Sequence, residues 1–283
     1  MNNWSSLVDF SRGLYRRVGL FNWWSDYMLF VHGRRIYSQW ERTFNHVIPE
    51  MYILSLLLKS DDCIFDVGAH IGEFTFYLSK IVTKGALYAF EPQRKPYNIL
   101  RGVCSKIRNA YAYNLGLSSS SGIATLFIPI VNGRVSDSEA SLDLHFNDFT
   151  DWERRPKSSK SLQERILLTT IDEFCATMAI EKLDFLKIDV EGHELEVLKG
   201  GERTCFRRYR PVFLIEVFPY VYPGHFQEVC QYMKLHDYTG FVISTDGTSL
   251  EPLTLQNVRN SPGYNYWFMP VERMNRILDR IAT

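Results

Sequence analysis

Two stretches of this 283-residue sequence gather residue types that could do chemistry. In the first, Asp66 stands just before Gly68, Ala69, His70 and Gly72, and Glu91 with Pro92 follows Gly72 by nineteen positions. Glycines at a tight turn free the backbone for positive φ or for close approach to a ligand. An acid at a strand end before such a turn suits a cation. A carboxylate about twenty residues on is placed to hold ribose hydroxyls. The second stretch, Lys187-Ile-Asp-Val-Glu-Gly-His-Glu194, sets a lysine, three carboxylates and a histidine within eight positions.

The glycine spacing discriminates between ligands. A dinucleotide site requires Gly-x-Gly-x-x-Gly so that backbone can wrap a pyrophosphate. Here three residues separate Gly68 from Gly72, and no third glycine follows in register. A ribose ligand with a cationic part and no pyrophosphate describes S-adenosylmethionine. The plain structural alternative is a turn packed for topology, with Asp66 as a helix cap and Glu91 as a solvated strand end.

In the second stretch, Asp189 could hold a cofactor amino group, position an acceptor or ligate a metal. Glu191 and His193 are candidate general bases, since methyl transfer to a hydroxyl requires loss of its proton, and histidine titrates near neutral pH. Alternatively, Glu191 and Glu194 oppose the positive end of a helix dipole, and His193 caps or packs there. Strand alternation puts Phe185, Lys187 and Asp189 on one face, where the lysine and aspartate could form an ion pair. Asp189, Glu191 and Glu216 together could bind a divalent ion.

These residues need a scaffold. Cys63 to Val67 reads as a strand, followed by a glycine turn and a helix from Phe74 to Ile81: the first unit of a doubly wound α/β sheet. Leu87 to Phe90 reads as the second strand, Pro96–Ile107 as a helix and Ala110–Leu117 as the third strand. Leu117 and Ser118 then fall at the adenine side of the crevice. Gly122–Ile130 could be an antiparallel strand. Thr169-Thr-Ile-Asp-Glu opens a helix with a threonine cap. Leu183–Val190 reads as a buried strand, leading into a helix that runs to about Phe206. Pro211–Val217 is the next strand, with Glu216 near its carboxyl end. Phe226–Leu235 is helical. Tyr238–Ser244 and Asn265–Met269 read as a hairpin-like pair, and Arg273–Ile281 as a final helix.

Zero formal net charge argues against a general nucleic-acid binder. Five scattered cysteines without zinc-site spacing fit reduced thiols in a cytoplasm. No apolar run is long enough to span a membrane. Residues 1–59 read as an N-terminal helical extension and 60–283 as the main domain. In the extension, Leu7, Phe10, Leu14, Val18 and Phe21 recur at helical spacing, with Arg12, Arg16, Arg17, Arg34 and Arg35 interleaved among Trp23, Trp24 and Tyr27. That is the pattern of a helical flap over the core, or of a peripheral membrane contact. Residues 131–161, rich in Ser, Asp, Arg, Lys and Asn, read as an insertion or lid over the substrate, or as a surface loop without a role.

The ordered set Phe65-Asp-Val-Gly-Ala-His-Ile-Gly72, Ala89-Phe-Glu-Pro92, Thr169-Thr-Ile-Asp172, Leu186–Glu194, Leu198-Lys-Gly200 and Ile215-Glu-Val217 resembles FkbM-like methyltransferases over about Ile53 to Pro270. The resemblance implies a class I, Rossmann-like methyltransferase with a mostly parallel seven-stranded sheet and S-adenosylmethionine as cofactor. It implies O-methylation of a small-molecule or glycan hydroxyl. Asp66, Gly68, Gly72 and Glu91 match its cofactor motifs, and Asp189 and Glu191 its second signature. Position 70 is often Asn in such proteins and is His70 here, and the family tolerates small residues at position 193. The rivals are a nicotinamide-dependent oxidoreductase on a similar fold and a non-catalytic scaffold.

Overall fold

A computed structural model describes residues 23–43, 49–131, 134–142, 161–219, 223–261 and 263–281. The expected helical spacing from Leu7 to Phe21 lies outside the described residues, as do 132–133 and 143–160 of the expected insertion.

The chain begins with α1 (Trp23–Thr43) and α2 (Pro49–Leu57), then enters β1 (Cys63–Val67), which is buried along its whole length. A turn through Gly68 and Gly72 leads to α3 (Glu73–Ile81), β2 (Ala86–Phe90) and α4 (Arg94–Cys104). The strand expected over 110–117 is two: β3 (Ala110–Tyr113) and β4 (Gly116–Leu117), in different sheets. Asn114 causes the break, because its side-chain amide donates to the carbonyls of Glu91 and Pro92 at 2.9 and 2.8 Å. β5 (Gly122–Val131), the two-residue β6 (Arg134–Val135) and β7 (Ser161–Thr169) complete a small second sheet with β4, in the order β4-β7-β5-β6. β5 pairs antiparallel with β7, as its expected orientation allows.

Thr170 caps α5 (Ile171–Thr177), accepting from the Glu173 N–H. β8 (Phe185–Ile188) follows, then α6 (Glu194–Lys199). The expected helix to Phe206 is interrupted after Lys199 and resumes as a π-helical segment, Glu202–Tyr209. Gly200 stands at the break and lets the chain approach the Ser118 carbonyl, from which a Cβ would lie 2.0 Å. β9 (Val212–Glu216), α7 (Pro223–Leu235), β10 (Tyr238–Ile243), β11 (Leu250–Pro252), α8 (Leu255–Asn260), β12 (Asn265–Pro270) and α9 (Val271–Ile281) close the chain.

The main sheet runs β3-β2-β1-β8-β9-β12-β10-β11. Its five strands from β3 to β9 are parallel, while β12 is antiparallel to both neighbours. Seven strands match the expected core, and β11 adds an eighth at the edge. The hairpin partner of β10 is therefore β11, and β12 inserts between β10 and β9.

Strand alternation divides the core. Phe65, Val67, Leu186 and Ile188 face one layer with Phe174, Val197 and Phe213; Ile64, Leu87, Phe185 and Leu214 face the other with Leu54, Leu78 and Trp267. α1 packs on α4 through a close crossing, where a Cβ on Gly33 would lie 2.0 Å from the Ile99 carbonyl. Both oxygens of Asp26 take hydrogen bonds from Arg94, fixing the start of α1 beside the start of α4.

Candidate active site

β1, β2, β8 and β9 all end at one edge of the sheet. A cleft of about 200 Å³ lies there, lined by Gly68, Glu91, Asp189, Glu191 and Glu216 among others. In a parallel sheet the crevice beyond the carboxyl ends of the strands is where ligands bind.

The first loop is held by backbone bonds. The N–H groups of Gly68 and Ala69 both donate to the Phe90 carbonyl, at 3.0 and 2.9 Å. Gly68 and Gly72 have φ of 78° and 92°, and His70 has φ of 49°. Glu91 closes the loop: its Oε2 accepts from the His70 N–H at 2.9 Å and its Oε1 from the Gln93 N–H at 2.8 Å. Both amides favour the anion, yet burial dominates and pushes Glu91 up to about 8.

Asp66 does not line this cleft. It is 0% exposed, and its register partner on β8 is Lys187. The Thr75 hydroxyl donates to its Oδ2 at 2.5 Å, while its Oδ1 is buried without a hydrogen-bond partner. Burial raises its pKa against the opposing pull of Lys187. The expected cation mouth of Asp66 with Asp189 is thus a stack in depth. Asp66 lies beneath, Lys187 between and Asp189 at the cleft, with Lys187 Nζ 2.6 Å from Asp189 Oδ2. The lysine ammonium also lies 5.1 Å over the Phe74 ring.

Asp189 and Glu216 form the second acidic element. Burial would raise Asp189, but the Lys187 charge and a hydrogen bond from Glu216 hold it below the ordinary carboxylate range. Glu216 keeps its proton instead, raised to about 8 by burial and by the Asp189 charge. Glu191 lies alongside with φ of 52°, uncommon for a non-glycine residue. Glu194 maintains that turn, its Oε1 accepting from the Gly192 N–H at 3.0 Å and its Oε2 lying 2.5 Å from His225 Nε2. Burial and the neighbouring carboxylates push Glu191 well up. Among the described residues no group of three or more His, Cys, Asp or Glu side chains is arranged to hold a metal ion. Asp189, Glu191 and Glu216, the set that could have held a divalent ion, all line the cleft, with Lys187 bonded to Asp189.

His193 is drawn away from the cleft lining. Its Nε2 lies 2.9 Å from the Ser118 hydroxyl, joining the second loop to the strand end at β4. Ser118 itself is buried and outside the cleft lining, whereas Leu117, Pro92 and His70 line it. Ala69 and Gly72 lie outside the lining and close the loop, the Gly72 N–H donating to the Ala69 carbonyl at 2.8 Å.

Gln93 and Asp137 are among the lining residues that escape a reading of the sequence. Gln93 Nε2 donates to Asp137 Oδ1 at 2.9 Å, and Lys95 pairs with the same carboxylate. Gln93 could have been found as the continuation of the Glu91-Pro92 motif. Asp137 carries no local signal. It belongs to the described part of the expected lid, 134–142, and that part does reach the cleft. Ser141, 1% exposed, anchors it by donating to the Glu191 carbonyl at 2.8 Å.

The seven-strand order and a cleft at the carboxyl ends define a class I methyltransferase fold. Residues 66–239 match the Methyltransferase FkbM domain, more than half of the chain, and the protein belongs to that family. Methyltransferase sdnD of Sordaria araneosa is 29% identical over 175 residues, covering 55% of this chain and 66% of that protein. Hexuronic acid methyltransferase AglP of Haloferax volcanii is 30% identical over 157 residues, 53% of this chain and 56% of that one. The 31-O-demethyl-FK506 methyltransferase FkbM of Streptomyces tacrolimicus is 26% identical over 198 residues, 64% and 74% of the two chains. The chain thus spans less than two thirds of the length of the first two. A solved FkbM methyltransferase from Methylobacillus flagellatus aligns with 75% of this chain and 44% of its own, at a TM-score of 0.47 and 17% identity.

Proposed function

We propose that this protein transfers a methyl group from S-adenosylmethionine to a hydroxyl of a sugar, a glycoconjugate or another small metabolite. The observation that carries the reading is Asp189, ionised against Lys187 at the carboxyl end of β8 and lining the same cleft as Glu91.

The residues present fit the cofactor. Glu91, oriented by two backbone amides, can accept from ribose hydroxyls. Phe90, Leu117 and Leu168 supply an apolar slot for a flat base. Asp189 and Glu216 supply the acidic end that a cation requires. When bound, S-adenosylmethionine supplies an activated methyl group, so positioning carries much of the rate.

The protein's own part is orientation and proton handling. Asp189 accepts the hydrogen bond of the acceptor hydroxyl and takes its proton as the new C–O bond forms. Glu216, itself protonated, keeps its hydrogen bond to Asp189. Glu191, whose proton burial and neighbouring carboxylates hold more tightly than usual, is placed to donate a hydrogen bond toward the acceptor. His193 supports the loop through Ser118 and takes no proton. Sugar-like acceptors are favoured because AglP is by its name a hexuronic acid methyltransferase.

The test is label transfer from methyl-labelled S-adenosylmethionine to a panel of uronic acids, deoxysugars and macrolide alcohols, with wild type and Asp189→Asn. Labelled ether with wild type, reduced about 10²- to 10⁴-fold in the variant, is expected. Label arriving on nitrogen or carbon, or undiminished transfer by Asp189→Asn, would overturn the assignment.

A further inference from the structure

We propose that the outward face of α1 docks on an anionic lipid bilayer. The helix has two faces. Phe30 and Gly33 turn inward onto α4, and Tyr37 and Trp40 pack on Phe76 of α3. The opposite face is apolar over its first turns and cationic over its last.

At the apolar end, Tyr27 and Met28 are 45% and 46% exposed, and Val31 follows on the same face. At the cationic end, Arg34, Arg35 and Arg42 are exposed and line, with Lys106 from the turn after α4, an open groove of about 300 Å³. The two acids of α1 point elsewhere: Asp26 bonds Arg94, and Glu41 pairs with Lys80. Among the described residues, none forms an ion pair with any of these four cations. The guanidinium and ammonium groups are therefore free to meet phosphate and carboxylate headgroups, while the tyrosine, methionine and valine enter the boundary with the acyl chains. A nucleic acid would use the cations alone. The contiguous apolar end favours the bilayer.

The placement also fits the cleft. The Asp26–Arg94 bond, 2.8 Å, ties the apolar end of this face to the first residue of α4. The residue before it, Gln93, lines the cleft. α1 and the cleft are thus linked through Arg94 and Gln93.

The experiment is vesicle flotation of the full chain with phosphatidylcholine alone and with added phosphatidylserine, at low and high salt. The expected result is binding only to the phosphatidylserine vesicles, released by salt. Each cation contributes about fivefold to partitioning. Arg34→Glu/Arg35→Glu/Lys106→Glu should thus weaken binding at least about a hundredfold, with an unchanged urea midpoint. Tyr27→Ser/Met28→Ser should lower the binding that persists in salt. Wild type that stays unbound, floats equally with phosphatidylcholine, or is matched by the charge-reversed variant would overturn the proposal. So would a short RNA duplex that binds through the same arginines more tightly than the vesicles do.

Discussion

The Asp189 carbonyl oxygen occupies the space in which any side chain on residue 68 would have to stand: a Cβ on Gly68 would lie 1.7 Å from it. The two signature loops are thus in direct contact, and the turn after β1 can form only around a glycine. Gly68→Ala must either displace Asp189 or open the first loop. Positive φ at this position adds strain for any L side chain. The variant should lose cofactor affinity by more than about tenfold, with a loss of stability of about 1–3 kcal/mol. Calorimetry and urea unfolding on one preparation read both; an unaltered affinity would show that the loops are not coupled.

Lys187 is the cation bonded to Asp189, and its side chain is 7% exposed. Replacing it by methionine leaves Asp66 and Asp189 facing each other without it. Removing one partner of a buried pair is destabilising by roughly 3–5 kcal/mol. The double variant Lys187→Met/Asp189→Asn should recover much of that loss, because the uncompensated charge is gone. Additive losses in the double-mutant cycle would contradict the pairing.

Glu91 and Glu216 are both raised to about 8 from an ordinary value of 4.5. The folded chain therefore keeps protons that the unfolded chain has released. The stability these groups contribute is complete below about pH 4.5, falls as pH rises, and is gone above about pH 8. Glu216→Gln preserves a donor to Asp189 without a proton to lose, so its decline should be shallower than wild type. A bound cation favours ionised Glu216, so affinity for S-adenosylmethionine should rise with pH across the same window. Thermal unfolding with and without cofactor from pH 5 to 9 measures both; parallel profiles for wild type and Glu216→Gln would refute the assignment.

His193 faces Ser118 at 2.9 Å rather than the cleft. A general base contributes about 10²- to 10⁴-fold to rate. His193→Asn, which can still bond the Ser118 hydroxyl, should retain turnover within about tenfold of wild type. A hundredfold fall in kcat with unchanged cofactor affinity would return the base to His193.

The most legible part of the sequence was where local chemistry and topology coincide. An apolar strand, two glycines and a helix between Cys63 and Ile81 admit one local structure, and the Glu91 carboxylate lies where that structure requires it. What was hidden depends on distant contacts. The break between β3 and β4 is made by Asn114 reaching back to Glu91 and Pro92. β7 has one fully buried residue and alternates weakly, so it resembles loop until β5 pairs with it. Asp66 at a strand end reads as a ligand group. Only the register of β1 against β8 shows that its neighbour is Lys187 and that it lies beneath the site. His193 has the chemistry of a base, and its orientation is set by a serine 75 positions away.

The most direct test is calorimetric titration of wild type and Asp189→Asn with S-adenosylmethionine and, separately, with NADH. The account predicts micromolar binding of S-adenosylmethionine to wild type, at least about tenfold weaker binding to the variant from loss of a charged hydrogen-bond partner, and no binding of NADH. Binding of NADH to wild type, or equal affinity of both proteins for S-adenosylmethionine, would contradict it.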